Sequence, residues 1–409
     1  MVNVCKNKKI SRLSLLGLLI LFSGCSYTEQ SLDLAAPVDL KVREGFVEPI
    51  GYYEQAPRFS WQIAPTAQSQ FQQAYQIQVA SSQANIADAD LWDSQKQLSS
   101  DTSWVRYQGE PLISRQQVYW RVRVWDEQGR VSNWSRPAAV ELGLLFNADW
   151  QGQWIRHPET GETVTFDVTD RKTKLVTAVT NKHYRPQYLR TEFKAKPTIT
   201  KARLYITSKG VFNAYINGQK ISEDVMTPGW TPYLQRIETL TYDVTSMLQS
   251  GDNVLAATVA EGWHIGRILA AKKEDVKPSA LLAQLEIEYA DGATQFIVSD
   301  EDWQVTLDGP IREAGNYDGE TYDANYEMPG WEQTNFDASN WRTVITEPLE
   351  PQVALAPKRH QASKVKLTLP AVEIVEVANP QTGVVVFDMG QNILAPQSPV
   401  APYLPTPPI

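Results

Sequence analysis

The sequence has only two cysteines among its 409 residues, and both, Cys5 and Cys25, lie near the amino terminus. Residues 26–409 therefore cannot form an internal disulfide bond. Small exported domains often depend on disulfides because their hydrophobic cores are too small to stabilise them alone. A chain of this length without disulfides has to rely on larger buried cores, and its length predicts two or three domains.

Basic residues are also scarce relative to acidic ones. The formal net charge is −9, the isoelectric point is about 5.2, and no cluster of lysine and arginine recurs after the first residues. Nucleic acids are usually bound through such clusters, because the phosphate backbone has to be neutralised. The sequence therefore predicts no nucleic-acid partner.

Motifs that carry chemistry in common enzyme classes are missing as well. The chain has no G-x-S-x-G turn for a nucleophile, no glycine-rich phosphate loop and no dinucleotide-binding fingerprint. Its four histidines are scattered without an H-E-x-x-H pattern, which argues against zinc. The sequence predicts no independent active site of these kinds and no required cofactor.

The one long apolar run lies at the amino terminus. Residues 13–22 follow four basic residues and are too few to span a bilayer, which is typical of a signal peptide at 1–25. The small residues before Cys25 resemble a bacterial lipobox and predict lipidation of that cysteine. The alternative is an ordinary signal peptide with a coincidental cysteine. Because Ser26 is not the aspartate that retains lipoproteins at the inner membrane of enteric-type bacteria, we expect an exported, lipid-anchored outer-membrane protein.

Short alternating patterns begin after a polar segment at 26–36, which we interpret as a tether. Residues 118–125 alternate strictly, with Trp120 and Val122 on one face of a predicted strand. Several short strands at this spacing, separated by turn signals, predict a β-sandwich at 37–145. The fold class is all-β.

Similar patterns follow this first sandwich. Asn217-Gly218 is a hairpin turn signal, and only short helical pieces are predicted. We expect a jelly roll at 146–350 and the start of a concanavalin-like sandwich at 351–393, so that the chain is built from tandem β-sandwiches. Residues 394–409 are rich in proline and cannot continue the preceding strand, because proline has no backbone donor.

Aromatic residues are abundant, with thirteen tryptophans and seventeen tyrosines. Their flat faces can stack on sugar rings while the polar tip forms a hydrogen bond. The alternative is that most of them fill the cores of the sandwiches. We favour this second interpretation for Trp120, Trp125 and Trp134.

Four stretches of sequence carry a resemblance to a known family. They are PRFSWQI with LWDS and YWRVRVWDEQGRVSNWS; LRTEF with ARLYITSKGVFNAYINGQKI; MTPGWTPYLQRIETLTYDVTSML with AEGWHIGR; and YDGETYDAN with VFDMGQN. In this order they resemble the bacterial α-L-rhamnosidases, glycoside hydrolase family 78, over most of the chain up to Asn392. Asn325 stands where the family motif usually has arginine.

The resemblance implies a fibronectin-III-like domain, a jelly roll of a type used elsewhere to bind rhamnose, and the start of a further sandwich. In the family, an (α/α)6 barrel follows and carries the carboxylic acid and carboxylate base that remove terminal α-L-rhamnosyl groups with inversion. No series of amphipathic helices is present here. We therefore expect a chain truncated before the barrel, with no catalytic residue and with a rhamnose-containing plant or algal glycan as its partner.

The densest acidic stretch contains Asp318, Glu320 and Asp323. On a strand, Asp318 and Glu320 would share a face, and an inverting glycosidase needs two carboxyl groups about 6.5–9.5 Å apart. We favour the alternative of a polar loop that closes the jelly roll or binds a cation.

Calcium stays open as a ligand, because hard cations prefer carboxylate and carbonyl oxygens. By their position in the family motifs, the nearest candidates are Asn217, Asp224 and Asp243.

Trp230 and Trp263, each preceded by glycine, are candidates for stacking on a sugar, since glycine lets the backbone turn closely. The alternative for both is packing in the sandwich core.

Two functions are consistent with these patterns. The first is an α-L-rhamnosidase family protein, of which this chain carries the non-catalytic part. The second is a surface glycan-binding lipoprotein without enzymatic activity. The sequence does not predict an oligomeric state.

Overall fold

The structure is a computed structural model that describes residues 34–43, 45–64, 71–159, 161–169, 176–265, 278–315, 319–376, 385–388 and 390. The predicted lipidation site Cys25, the acidic residue Asp318 and the tail 394–409 lie outside the described residues. The described residues form β-strands connected by turns and by three short 3-10 segments. The predicted all-β class is thereby confirmed.

Among the described residues, nine strands form the first sandwich. They are β1 (Val38–Val42), β2 (Ile50–Tyr52), β3 (Arg58–Gln62), β4 (Gln72–Ala80), β5 (Trp92–Asp93), β6 (Gln97–Leu98), β7 (Val105–Arg106), β8 (Gln117–Asp126) and β9 (Ala138–Leu142). One sheet has the order β1-β3-β7, and the other has the order β2-β9-β8-β4-β5 with β6 beside β4.

The alternation of β8 fixes which of its side chains enter the first core. Trp120 and Val122 are fully buried, as the alternating pattern predicts. The Trp120 ring stacks on Phe59 of the opposite sheet, with centroids 4.3 Å apart. Leu34, which we assign to the tether, also packs into this core and bridges to Ser132. The ordered sandwich therefore begins slightly before residue 37.

In the part of the chain that the structure describes, eighteen strands form or border the second sandwich. They are β10 (Trp154–Arg156), β11 (Glu162–Thr169), β12 (Val176–His183), β13 (Gln187–Ala195), β14 (Ile199–Lys209), β15 (Val211–Ile216), β16 (Gln219–Lys220), β17 (Asp224–Val225), β18 (Arg236–Asp243), β19 (Gly251–Ala260), β20 (Ala280–Tyr289), β21 (Thr294–Val298), β22 (Gln304–Thr306), β23 (Ile311–Gly315), β24 (Gly319–Tyr322), β25 (Arg342–Thr343), β26 (Ile345–Glu347) and β27 (Ala354–Pro357). The 3-10 segments are η1 (Asn147–Asp149), η2 (Thr245–Met247) and η3 (Ala324–Tyr326).

Two large sheets enclose the second core. The first has the order β26-β10-β20-β14-β18-β27 with β21 beside β20, and the second has the order β16-β15-β19-β13-β22-β25. Asn217 and Gly218 both have positive φ and form the turn between β15 and β16, as predicted. β27 runs parallel to β18, with Arg236 opposite Ala354. This sheet thus continues past residue 350, where we place the end of the jelly roll.

The two sandwiches meet on the outer face of the sheet that contains β14 and β20. Leu281 and Leu285 of β20 point into the second core, whereas Glu286 points away from it and accepts hydrogen bonds from Arg115 at 2.7–2.9 Å. Arg203 of β14 binds both carboxylate oxygens of Glu141 of β9 at 2.8 and 2.9 Å. A buried polar interface thereby joins the first sandwich to the second.

The last described strands lie beyond this sheet. They are β28 (Ser363–Lys364), which pairs with β17, and the antiparallel pair β29 (Glu373–Glu376) and β30 (Val385–Asp388). In the part of the chain that the structure covers, no helix has the length and apolar character needed to cross a membrane.

Candidate functional site

Trp230 lies in the loop between β17 and β18, and 61% of its surface is exposed. The preceding Gly229 has φ of 116°, a value that L side chains rarely adopt, and a Cβ there would lie 3.1 Å from Lys358 Nζ. The Lys358 ammonium donates to the carbonyl oxygen of Pro228 and pairs with Glu238 at 3.4 Å. The contacts of Lys358 therefore hold the loop in place, while the indole ring of Trp230 is exposed to solvent.

Trp263 has a different environment although it also follows glycine. It is half-buried and packs against a hydrophobic cluster on the outer face of the β14–β20 sheet, which includes Trp154, Tyr205 and Leu282. Trp263 therefore packs against the sandwich. Of the two tryptophans, Trp230 is the one whose ring is available to a sugar.

Asn217 is engaged by protein groups at each polar atom of its side chain. Its amide nitrogen donates to Met247 O at 3.0 Å and to Asn253 Oδ1 at 2.8 Å, while its Oδ1 accepts from Val254 N at 2.9 Å. These bonds hold the turn between β15 and β16 against β19. The Asn217 oxygen is thus occupied in stabilising the fold.

Asp224 and Asp243 are likewise held by neighbouring residues. Tyr242 Oη donates to Asp224 at 3.1 Å, and Arg203 pairs with Asp243 at 2.9 Å. The pKa of Asp243 is lowered: burial opposes this shift, but hydrogen bonds from Thr245 and the charge of Arg203 outweigh it. Among the described residues, no group of three or more acidic, histidine or cysteine side chains is arranged to hold a metal ion.

The acidic stretch forms the hairpin of β23 and β24. Glu320 lies opposite Ala314, and Glu313 lies opposite Thr321. Because facing residues share a side and successive residues alternate, Glu313 and Glu320 point to opposite sides of the hairpin. Burial raises the pKa of the half-buried Glu320 carboxyl. The proposed partner of Glu320 on its own face, Asp318, lies outside the described residues.

Asp323 caps the segment η3, because its Oδ1 accepts hydrogen bonds from the backbone and side-chain nitrogens of Asn325 at 3.0 and 2.8 Å. Next to this cap, Tyr326 is 40% exposed and the guanidinium of Arg312 lies 4.0 Å from its ring centroid. No motif predicts this exposed tyrosine, and the sequence signal for it is limited to the aromatic and acidic residues that lie close together in YDANYE.

Two family models match the chain. The first, described as a Rha78A-like N-terminal immunoglobulin domain, matches residues 37–146, and the second, described as an alpha-L-rhamnosidase N-terminal domain, matches residues 197–367. An α-L-rhamnosidase of Alteromonas sp. (strain LOR) is 44% identical over 381 residues, which are 92% of this chain and 40% of that protein. The chain therefore carries amino-terminal domains of the α-L-rhamnosidase type, and the predicted resemblance to that family is confirmed.

Other α-L-rhamnosidases agree with this assignment. One from Formosa agariphila is 43% identical over 90% of this chain and 38% of its own length. The solved α-L-rhamnosidase from Dictyoglumus thermophilum aligns with a TM-score of 0.76 and 30% identity, over 88% of this chain and 39% of that chain. The one from Streptomyces avermitilis, solved with L-rhamnose, aligns with a TM-score of 0.75, 27% identity, and coverage of 88% and 49%. The chain thus spans less than half the length of these relatives.

Proposed function

We propose that this α-L-rhamnosidase family chain forms the amino-terminal, sugar-facing part of a protein that hydrolyses terminal α-L-rhamnosyl groups of plant or algal glycans. The similarity to the Alteromonas α-L-rhamnosidase, 44% identity over 92% of the chain, carries this proposal. The exposed Trp230 supports a role in contacting the glycan. No catalytic residue is assigned among the residues that the structure describes.

The 409-residue chain by itself is expected to release no p-nitrophenol from p-nitrophenyl α-L-rhamnoside. Hydrolysis with inversion needs an acid and a base held across one pocket, about 6.5–9.5 Å apart. In the acidic hairpin, Glu320 points to one side and Glu313 points to the other. Release that disappears in Glu320→Gln or Asp318→Asn would contradict the prediction and make the hairpin catalytic. Release that persists in both variants and after a second purification would also contradict the prediction and would place the catalytic groups elsewhere in the chain.

Trp230 is expected to bind L-rhamnose through its exposed face. The variant Trp230→Ala should weaken binding about fivefold, because loss of one stacking contact costs on the order of 1 kcal/mol. Isothermal titration calorimetry with L-rhamnose and rhamnosyl oligosaccharides measures this change. The matched control is Trp263→Ala, which should lower the melting temperature and leave the affinity unchanged. Equal affinities of the wild type and Trp230→Ala would remove Trp230 from the site.

We also propose that the chain is exported and anchored to a membrane by lipid at Cys25. The basic residues, the short apolar run and the two small residues before this cysteine support the proposal. A lipid anchor would place the sugar-facing loops outside the cytoplasm, where polysaccharide is encountered.

A further inference from the structure

The outer face of the first sandwich, on the sheet that contains β4 and β8, carries alternating cations and indole rings. Trp120 and Val122 of β8 enter the first core. Because successive residues of a strand point to opposite faces, Arg121, Arg123 and Trp125 lie on the outer side. Each of these three side chains is half-buried.

A second tryptophan reaches this face because the chain after β8 folds back along the same strand. The backbone nitrogens of Ser132 and Ser135 donate to the carbonyl oxygens of Val124 and Val122 at 2.9 Å. Their hydroxyl oxygens accept hydrogen bonds from the backbone nitrogens of the same two residues at 3.0 Å. These four bonds fix the segment that carries Trp134 beside β8.

The cations and rings form a ladder. In order, it consists of Lys96, Trp125, Arg123, Trp134 and Arg121. The lysine nitrogen and the guanidinium carbons lie 4.4–5.1 Å from the centroids of the rings beside them. The rings attract the cations through their faces without neutralising them. The ladder therefore holds three positive charges on one face.

Two glutamines of β4 hold the arginines in this arrangement. Gln76 Oε1 accepts from Nε and Nη2 of Arg123 at 3.0 and 2.7 Å, and Gln78 Oε1 accepts from the same two atoms of Arg121 at 3.0 and 2.7 Å. Both glutamines are buried, and their amide nitrogens donate to Asp93 at 2.7–3.0 Å. The guanidinium groups are thus preorganised, which lowers the entropic cost of binding a ligand.

The cations of the ladder outnumber the carboxylate in this network, which is Asp93. Residues 71–159, which contain the whole ladder, are described without a gap. Among the described residues, no carboxylate forms an ion pair with a cation of the ladder. Residues 65–70, which the structure does not describe and which precede β4, include no acidic residue. The ladder is thus a local positive surface in a protein of net charge −9.

We propose that this ladder binds the anionic groups of an acidic polysaccharide, either uronate carboxylates or sulfate esters. Arg121 and Arg123 use Nε and Nη2 for the glutamines, which leaves Nη1 of each to donate to an outside oxygen. The Trp134 ring already contacts both guanidinium groups, so charge and hydrogen bonding, not stacking on a sugar ring, select the ligand. The inference rests on the proposed function only in that the ligand is a glycan.

Lys96→Gln tests this proposal, because Lys96 is exposed at the end of the ladder and its replacement should leave the fold intact. Dextran sulfate, polygalacturonate and neutral dextran are titrated separately into the full chain at low ionic strength. We expect the two acidic polymers to bind and Lys96→Gln to weaken them about fivefold. The double variant Lys96→Gln/Arg121→Gln should weaken them about fiftyfold. Physiological salt should weaken them too, since it shortens the Debye length to about 8 Å.

Lys220→Gln serves as the control, because it removes the same charge from an exposed lysine of β16 in the second sandwich. Both lysine variants keep the basic residues of the predicted signal peptide, so binding of a polymer to that segment cancels in the comparison. Unchanged affinity in Lys220→Gln together with a loss in Lys96→Gln supports the ladder as the site. Binding of one acidic polymer alone, with the same pattern of variants, supports it and identifies the anionic group.

Four results overturn the proposal. They are equal affinities of the wild type and Lys96→Gln, an equal loss in the two lysine variants, no binding of either acidic polymer, and neutral dextran that binds as tightly as the acidic polymers. Titration of Trp230→Ala with the acidic polymers should give the affinity of the wild type. Binding of neutral L-rhamnose at Trp230 is measured separately, so this proposal and the proposed function can fail independently.

Discussion

Replacing Glu141 with alanine is expected to destabilise the folded protein by about 3–5 kcal/mol, which is the usual effect of removing one partner from a buried ion pair. Glu141 is 1% exposed and accepts two hydrogen bonds from the Arg203 guanidinium. Lys201 adds a third contact at 3.1 Å from the same carboxylate. Without Glu141, the buried arginine keeps its charge and loses its main acceptor in a region from which water is largely excluded.

Denaturant unfolding of the wild type and the variant measures this effect. The control is Asp252→Ala, which breaks an exposed pair with Lys194 and should change stability little, because surface ion pairs are well solvated. The double variant Glu141→Leu/Arg203→Met should recover much of the loss, since both charges are then replaced by apolar groups of similar size. A Glu141→Ala protein as stable as Asp252→Ala would show that the network does not hold the sandwiches together.

Local patterns of the sequence account for much of the fold. The alternation in β8 predicts which side chains are buried, because every second residue of a strand points to the same face. Trp120 and Val122 are accordingly in the first core. The turn at Asn217-Gly218 is predictable for a similar reason, since these residue types tolerate positive φ better than others.

Contacts between distant segments are not encoded in such patterns. β27 joins the second sandwich by parallel pairing with β18, more than one hundred residues earlier, and no periodicity signals this partner. Arg203 and Glu141 are charged residues that a sequence pattern assigns to a solvent-facing side. They are buried because the two sandwiches pack on each other there. The end of the jelly roll could therefore not be placed from composition alone.

At the candidate site, too, local sequence patterns do not reveal which contacts a side chain makes in the fold. Trp230 and Trp263 both follow glycine, and the sequence offers no means to separate them. In the structure, one side chain is exposed on a fixed loop and the other packs against the β14–β20 sheet. The contact between Gln361 and the Gly45 carbonyl is still less accessible to sequence reasoning, because the two residues lie more than three hundred positions apart and meet only through tertiary packing.

The change Cys25→Ala is expected to abolish membrane association. Each buried methylene group of an acyl chain contributes about 0.8 kcal/mol to membrane binding, so a lipoprotein with several chains is anchored stably. Without the Cys25 sulfur no chain can be attached, and nothing else in the described residues is long and apolar enough to replace it as a membrane-spanning helix. Fractionation of cells that express each variant, followed by detergent phase partitioning, measures the loss.

Cys5→Ala is the matched control, because it removes the other cysteine from within the predicted signal peptide and leaves position 25 intact. A lipobox predicts that Cys5→Ala stays in the membrane fraction while Cys25→Ala becomes soluble. An ordinary signal peptide predicts the same soluble fraction for the wild type and for both variants, since the chain would then carry no lipid after cleavage. Membrane association of Cys25→Ala equal to that of the wild type would contradict anchoring through this residue, because the acyl chains would have lost their only attachment point.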